Sequence, residues 1–452
     1  MPSALLKKRG TMTLRFSLVI ASSLLLSSCA GSADLTVRDG SGPNPALPKP
    51  DKSLIPLINV VRAQGWAPDA KPVAASGLAV NSFARDLDHP RWLYVLPNGD
   101  VLVAETNAPP RPQDNKGIRG WFFKRNMKKA GGAAPTANRI TLLRDADADG
   151  VAEVRTPFLT GLNSPFGMVL VGDSLYVANT DAIIRFPYKS GVTSISVAGT
   201  RLIELPAGDR NHHWTKNVIA SADGSKLYVA VGSNSNVAEH GIQEEVDRAA
   251  IWEVDMSTGA HRVFATGLRN PVGMAWQNDT LWVAVNERDE LGSDLVPDYI
   301  TSVKDGAFYG WPYSYWGNHI DSRVRPERPD LAATAVRPDY GLGPHTASLG
   351  LAASNSSTLP DQFREGMFVG QHGSWNRKPQ SGYRVIFVPF RDGKPSGMPV
   401  DVLTGFITEN GDAFGRPVGV AMDRQGSLLV ADDVGNAVWR VAGTATTTPR
   451  IR

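Results

Sequence analysis

Val101-Leu-Val-Ala104, Leu175-Tyr-Val-Ala178, Leu227-Tyr-Val-Ala230, Leu281-Trp-Val-Ala284, Met367-Phe-Val-Gly370 and Leu428-Leu-Val-Ala431 are near-copies of one short apolar strand. Each follows a turn signal: Asn98-Gly99, Gly172-Asp173, Asp223-Gly224, Asn278-Asp279, Arg364-Glu-Gly366 and Gln425-Gly426. Such residues accept the positive φ angles of hairpin corners. The strand recurs every ~50 to 85 residues, the spacing of a propeller blade with insertions. A small antiparallel sheet cannot bury both of its faces alone, so the copies should pack radially. The prediction is an all-β, six-bladed β-propeller of four-stranded antiparallel blades over residues 61–445.

The composition agrees: 44 Gly and 32 Pro in 452 residues, with no long stretch of helical periodicity. The first residues read differently. Lys7-Lys8-Arg9, an apolar run from Phe16 to Leu26 and Leu26-Ser-Ser-Cys29 make a secretory signal with a lipobox, predicted over residues 1–28, with Cys29 as the site of lipid attachment. Met12 is an alternative start, with Arg15 as its positive residue. Cleavage before Cys29 removes Lys7, Lys8, Arg9 and Arg15 and takes the formal charge from +3 to −1. The body is read as having no basic runs and no phosphate-binding surface, so a nucleic-acid partner is not expected. Cys29 is the only cysteine, which excludes an internal disulfide.

Residues 29–60, with Gly40-Ser-Gly-Pro-Asn-Pro45 and Leu47-Pro-Lys-Pro50, have few large apolar side chains and are expected to be a flexible tether; residues 446–452 form a tail. The expected location is the periplasmic or cell-surface side of a bacterial membrane, lipid-anchored. The outer membrane is favoured because Ala30 is not the acidic residue that would retain the chain at the inner one.

Three strand starts share a signature, Ser164-Pro-Phe-Gly167, Arg269-Asn-Pro-Val-Gly273 and Arg416-Pro-Val-Gly419. Their prolines and glycines read as turn chemistry. Arg269 and Asn270 read as ligand groups, because a guanidinium and an amide at a channel mouth have nothing structural to satisfy there. Asn211-His-His-Trp-Thr-Lys-Asn217 occupies the corresponding place in the third repeat; His212 reads as a packed or surface residue and His213 as a general base. The acidic loop Asn286–Tyr299 is either a solvated loop or an oxygen-rich calcium site using carboxylates, Asp294 among them, and backbone carbonyls. Asp145-Ala-Asp-Ala-Asp-Gly150 has the Asp spacing of a calcium loop, through Asp145, Asp147 and Asp149, but Thr156 stands where a bidentate Glu would be. Calcium turn and plain hairpin remain open for it.

Together, His213 ahead of Asp223-Gly-Ser-Lys-Leu-Tyr-Val229, Gly267-Leu-Arg-Asn-Pro271, the acidic loop, Lys304-Asp-Gly-Ala-Phe-Tyr-Gly-Trp-Pro312 and Gly370-Gln-His-Gly-Ser-Trp-Asn376 resemble the soluble quinoprotein glucose/sorbosone dehydrogenase family over roughly residues 75–442. The resemblance implies a six-bladed propeller that binds pyrroloquinoline quinone (PQQ) and Ca2+ in the channel mouth and oxidises an aldose or sugar aldehyde, passing electrons to an external acceptor. It implies His213 as the base taking the substrate hydroxyl proton, and Arg269 and Asn270 at the reacting carbonyl of the cofactor. It places the carbonyls of Gly292 and Ser293 on the calcium. The family's glucose enzymes have Pro at the latter position and a Lys for the cofactor carboxylates. Here His345-Thr-Ala-Ser-Leu-Gly-Leu-Ala352 has no Lys, so Arg377, Lys378 or Arg384 would substitute, with His345 and His372 lining the mouth. Two other functions fit the same architecture: a calcium-dependent lactonase-type hydrolase and a non-catalytic binding propeller.

Overall fold

The structure, a computed structural model, describes residues 31–51, 57–110, 112, 117–354, 356 and 358–444. The predicted signal peptide, Cys29 and the tail from residue 446 lie outside the described residues. Six antiparallel sheets of four or more strands stand around an axis. The predicted repeat is the second strand of each: Val101–Glu105, Ser174–Ala178, Lys226–Val231, Thr280–Val285, Gly366–Gln371 and Leu428–Asp432. The innermost strands are Pro90–Val95, Met168–Val171, Lys216–Ala220, Pro271–Gln277, Ser348–Ser354 and Pro417–Met422, and each packs against the next around the ring. The all-β six-bladed propeller is thus observed. Its ring is closed by Leu78–Ala84, which pairs antiparallel with Ala437–Gly443 as the outer strand of blade 6.

Strand alternation explains why the repeated strand is apolar throughout. Val101 and Val103 pack towards blade 6, while Leu102 and Ala104 pack towards blade 2. The same division gives six apolar clusters, one at every blade interface. Both faces of each blade are therefore core, and a polar residue on either face of a second strand would be stranded between blades. The signature glycines let the inner strands close up. A Cβ on Gly167 would stand 2.5 Å from the Val218 nitrogen, one on Gly273 would stand 2.7 Å from the Leu351 nitrogen, and one on Gly419 would stand 2.7 Å from the Arg91 carbonyl. Any side chain there would push neighbouring blades apart.

The uneven repeat spacing has two sources. A helix, α1 (Gly117–Lys129), is inserted between the second and third strands of blade 1, and residues 303–339 are inserted between the third and fourth strands of blade 4. The tether prediction is corrected for residues 31–51. Ser41–Gly42 pairs with Tyr340–Pro344 as a fifth strand of blade 4, and Ser32 bridges Lys378. Backbone hydrogen bonds and an ion-paired loop hold this segment, which has little apolar surface of its own.

Candidate active site

Inner strands start, and second strands end, on one face of the ring, so those two sets of residues meet at the channel mouth. This topology brings His213, Arg269, Asn270, His345 and His372 to a common rim. His213 and Asn270 both lie against Gly232, where an added Cβ would come within 2.5 Å of His213 Cβ and of Asn270 Oδ1. Ser233, the next residue, donates its N–H to the Arg269 carbonyl at 2.8 Å.

The half-buried His213 ring has Nδ1 2.9 Å from the Ser233 carbonyl and 3.0 Å from Ser233 Oγ. A carbonyl oxygen only accepts, so Nδ1 carries the proton and Nε2 keeps the lone pair. That tautomer is the one a general base needs.

Arg269 is 2 % exposed, and each of its nitrogens is hydrogen-bonded. Its Nε donates to the Asn236 carbonyl at 3.1 Å, Nη1 to the carbonyls of Asn286 at 3.2 Å and Glu287 at 2.8 Å, and Nη2 to Asn236 Oδ1 at 3.1 Å. Asp289 Oδ2 lies 3.8 Å from Nη2. The expectation that nothing structural would claim this guanidinium is not met; it pins the loops after the second strands of blades 3 and 4.

Asp289 is the hub of the blade 4 rim. Its Oδ1 accepts from Asn376 Nδ2 at 2.8 Å and stands 3.3 Å from His345 Nδ1, while its N–H donates to Asn236 Oδ1 at 2.9 Å. Burial alone would raise this carboxyl, but His345 and Arg269 hold it below the usual range. His345 shows the reverse balance: burial pulls the imidazole down, and Asp289 with the Gly292 carbonyl, 2.8 Å from Nε2, outweighs it and raises the pKa.

The other carbonyl assigned to calcium is likewise in use. Arg377 Nε donates to the Ser293 carbonyl at 3.0 Å and Nη2 to Asp294 Oδ1 at 3.1 Å. Asp294 Oδ2 accepts from the Asp34 N–H at 2.7 Å and the Leu35 N–H at 3.1 Å. Cationic or donor groups therefore face Gly292, Ser293 and Asp294, and this loop does not fit a divalent ion as it stands. Arg384 stands outside the rim cluster, paired with Asp401 at 3.0 Å on the blade 5 edge.

A second cluster joins blades 5, 6 and 1. Asp433 Oδ2 accepts from Arg91 Nη1 at 2.7 Å and His372 Nε2 at 2.9 Å, with His89 at 3.5 Å. Burial is the main cause pulling His372 to about 4, helped by the guanidiniums of Arg416 and Arg91 against Asp433; the ring is neutral at pH 7. Arg91 also stacks over Trp214, beside His213, with 5.8 Å from guanidinium carbon to ring centroid. Arg416 lies over Tyr383 at 5.0 Å, only 4 % exposed, and its Nε and Nη2 have no hydrogen-bond partner among the described residues. Asn270 Oδ1, Asn376 Oδ1 and Asp433 Oδ1 are buried acceptors in the same condition. Arg416, Arg91, Asp289 and Asn376 were not singled out from sequence. Arg416 was legible, since it heads the same Pro-Val-Gly signature as Arg269-Asn270.

Asp145, Asp147 and Asp149 lie in the turn between the third and fourth strands of blade 1, on the face opposite the mouth. Their carboxylates and that of Glu153 each present one oxygen, all within 4.8 Å of one another. Asp145 Oδ1 is buried without a hydrogen-bond partner. Glu153 supplies the fourth acid in place of Thr156, closer in sequence than the familiar loop spacing looks for.

Comparison with known proteins agrees with this architecture. The Glucose / Sorbosone dehydrogenase family model matches residues 252–373. A pyrroloquinoline quinone-dependent pyranose dehydrogenase of Coprinopsis cinerea is 26% identical over 310 residues, covering 54% of this chain and 42% of that protein. The chain thus spans less than half the length of that relative. Among solved structures, the holo PQQ domain of pyranose dehydrogenase from Coprinopsis cinerea superposes with TM-score 0.65 at 21% identity, covering 84% of this chain and 98% of that one. A calcium structure of a Trichoderma reesei carbohydrate-active enzyme of family AA12 gives TM-score 0.66 at 17% identity, covering 86% and 100%. The TrAA12-like family model matches residues 72–302 and 328–444, well over half of the chain, and the protein belongs to the TrAA12-like family.

Proposed function

We propose that the protein oxidises an aldose or sugar aldehyde with PQQ bound at the channel mouth. The observation that carries this reading is the set of buried orphan groups there: two guanidinium nitrogens of Arg416 and the amide oxygens of Asn270 and Asn376. Buried polar atoms without partners cost about 1–3 kcal/mol each, so a rim that keeps several is prepared for a polar ligand. A planar tricarboxylate quinone suits that set, since its carboxylates would accept from the Arg416 nitrogens and its ring N–H would donate to an amide oxygen. Arg416 and Arg91 would hold carboxylates, the clamp that the sequence left unassigned, and Asn270 would meet polar groups of the ring. The bound cofactor supplies a two-electron hydride acceptor.

The chain's own part is orientation and proton transfer. His213 Nε2, its lone pair fixed by the Ser233 carbonyl, accepts the hydroxyl proton of the sugar as the carbon is oxidised. Asp289 is engaged by His345 and Arg269 and Asp433 by Arg91, which favours this reading over a hydrolase that cradles a metal at the mouth.

Titrating the protein with PQQ, followed by absorbance, and then assaying dye reduction with a panel of aldoses and sugar aldehydes tests the proposal. Arg416→Ala should weaken PQQ binding by about 10- to 100-fold, the worth of a charge-assisted hydrogen bond. No PQQ binding at micromolar concentration by the unaltered chain would end the reading.

Calcium we assign to Asp145, Asp147, Asp149 and Glu153, as a structural ion remote from the chemistry. Chelator should then lower the unfolding temperature of the protein but not of Asp147→Asn/Asp149→Asn; equal unfolding of both with and without chelator would remove the assignment. Lipid attachment at Cys29 to a bacterial membrane, on the periplasmic or cell-surface side, completes the proposal.

A further inference from the structure

We infer that the face carrying the channel mouth is the one that lies on the membrane, with α1 as its contact to anionic phospholipid headgroups. Two independent features point there. The first is where the segment behind the lipid-attachment residue docks. Ser293 Oγ bonds the Gly31 carbonyl, the Ala33 N–H donates to the Lys378 carbonyl at 2.7 Å, and Arg377 Nη2 donates to the Leu35 carbonyl at 2.7 Å. All three partners belong to rim loops of blades 4 and 5. Cys29 is two residues before Gly31, a reach of at most ~7 Å along the chain. Acyl chains on Cys29 would therefore enter a bilayer beside the mouth and not beneath the opposite face.

The second feature is α1. It belongs to the connection that follows the second strand of blade 1, and so to the mouth face. Its sequence, GIRGWFFKRNMKK, carries no acidic residue, and Lys124, Arg125, Lys128 and Lys129 are exposed. Trp121 on the same helix is 56% exposed with the Arg125 guanidinium over its ring, and Trp375 in the blade 5 rim loop is 41% exposed. Residues further along the chain also meet this face: the Ala63 N–H donates to the Lys129 carbonyl at the end of α1 at 2.9 Å, and the Asn59 N–H to the Trp375 carbonyl in the blade 5 rim loop at 2.7 Å. Cations with tryptophan beside them suit the headgroup layer of an anionic bilayer, and one lipid anchor is strengthened by a basic patch in the same plane.

The inference leans on lipid attachment for its orientation, but the patch can be tested without it. Full-length Cys29→Ser protein should co-sediment with vesicles containing phosphatidylglycerol, not with pure phosphatidylcholine, and should dissociate as salt rises. Reversing Lys124, Arg125, Lys128 and Lys129 to Glu should lower vesicle affinity at least ~10-fold with PQQ binding unchanged. An environment-sensitive dye on Lys128→Cys, in the Cys29→Ser background, should brighten on the vesicles. The same dye on Lys189→Cys, in a loop of the opposite face, should not. Equal binding to neutral vesicles, no loss on charge reversal, equal brightening of both dyes, or equally tight binding to a DNA duplex would each overturn the inference. Mass spectrometry of Cys29 in membrane-extracted native protein separately decides the acylation on which the orientation leans.

Discussion

His213→Gln is expected to cut turnover by about 10²–10⁴-fold while changing PQQ affinity little, because it removes a proton acceptor and not a cofactor ligand. Glutamine can still donate to the Ser233 carbonyl, which now fixes Nδ1 at 2.9 Å, but it has no basic lone pair to offer. Steady-state dye reduction by the PQQ-loaded protein, paired with a PQQ titration of the same preparation, gives both readouts. Turnover equal to that of the unaltered protein would leave the ring with no part in the chemistry.

The second large effect is expected at Arg269, and on stability as much as on activity. Arg269→Ala strips the donor from the carbonyls of Asn286 and Glu287, while the Asn236 carbonyl keeps Trp311 Nε1 at 2.9 Å. At about 1–3 kcal/mol for each of the two buried acceptors left unsatisfied, the loss should be at least ~2 kcal/mol. The rim loops that carry Asp289 would loosen, so PQQ binding should weaken in parallel. Arg269→Lys should recover only part, since one ammonium cannot reach the fork of acceptors that the planar guanidinium serves. Urea unfolding separates this positioning role from the direct one that the sequence implied. If Arg269→Ala unfolds like the unaltered protein yet loses turnover, the guanidinium touches the reacting oxygen after all.

The two readings of Arg269 show where residues stop being legible in one dimension. That it stands at a channel mouth followed from its place ahead of Pro271, because strand starts in a propeller share one face. Whether its five N–H groups point at a ligand or at backbone depends on loops arriving from blades 3 and 4, which no local pattern encodes. The same limit applies to Gly292 and Ser293. Their carbonyls were read as metal ligands, but His345 and Arg377, from more than fifty residues downstream, donate to them. Glu153 escaped notice for a different reason: the spacing expected of a familiar loop was imposed on a turn held between two paired strands. The basic run Lys124-Arg-Asn-Met-Lys-Lys129 is contiguous in the sequence and corrects the reading of a body without basic runs; only its place in a helix on the mouth face depends on the fold.

The repeated Leu-Tyr-Val-Ala strand and its turns determined the propeller by themselves. A strand apolar at every position must be buried on both faces, and radial stacking of six such sheets buries them all. That repeat also decided which residues reach the mouth, since the alternation of strand direction assigns each turn to one end of the channel or the other. Tertiary structure alone decided how those residues are used. Hydrogen bonds and charge pairing depend on ångström-scale approach between side chains and loops far apart in sequence, and they left Arg269 bound to backbone, two Arg416 nitrogens without a hydrogen-bond partner among the described residues, and the segment behind Cys29 fastened to the rim.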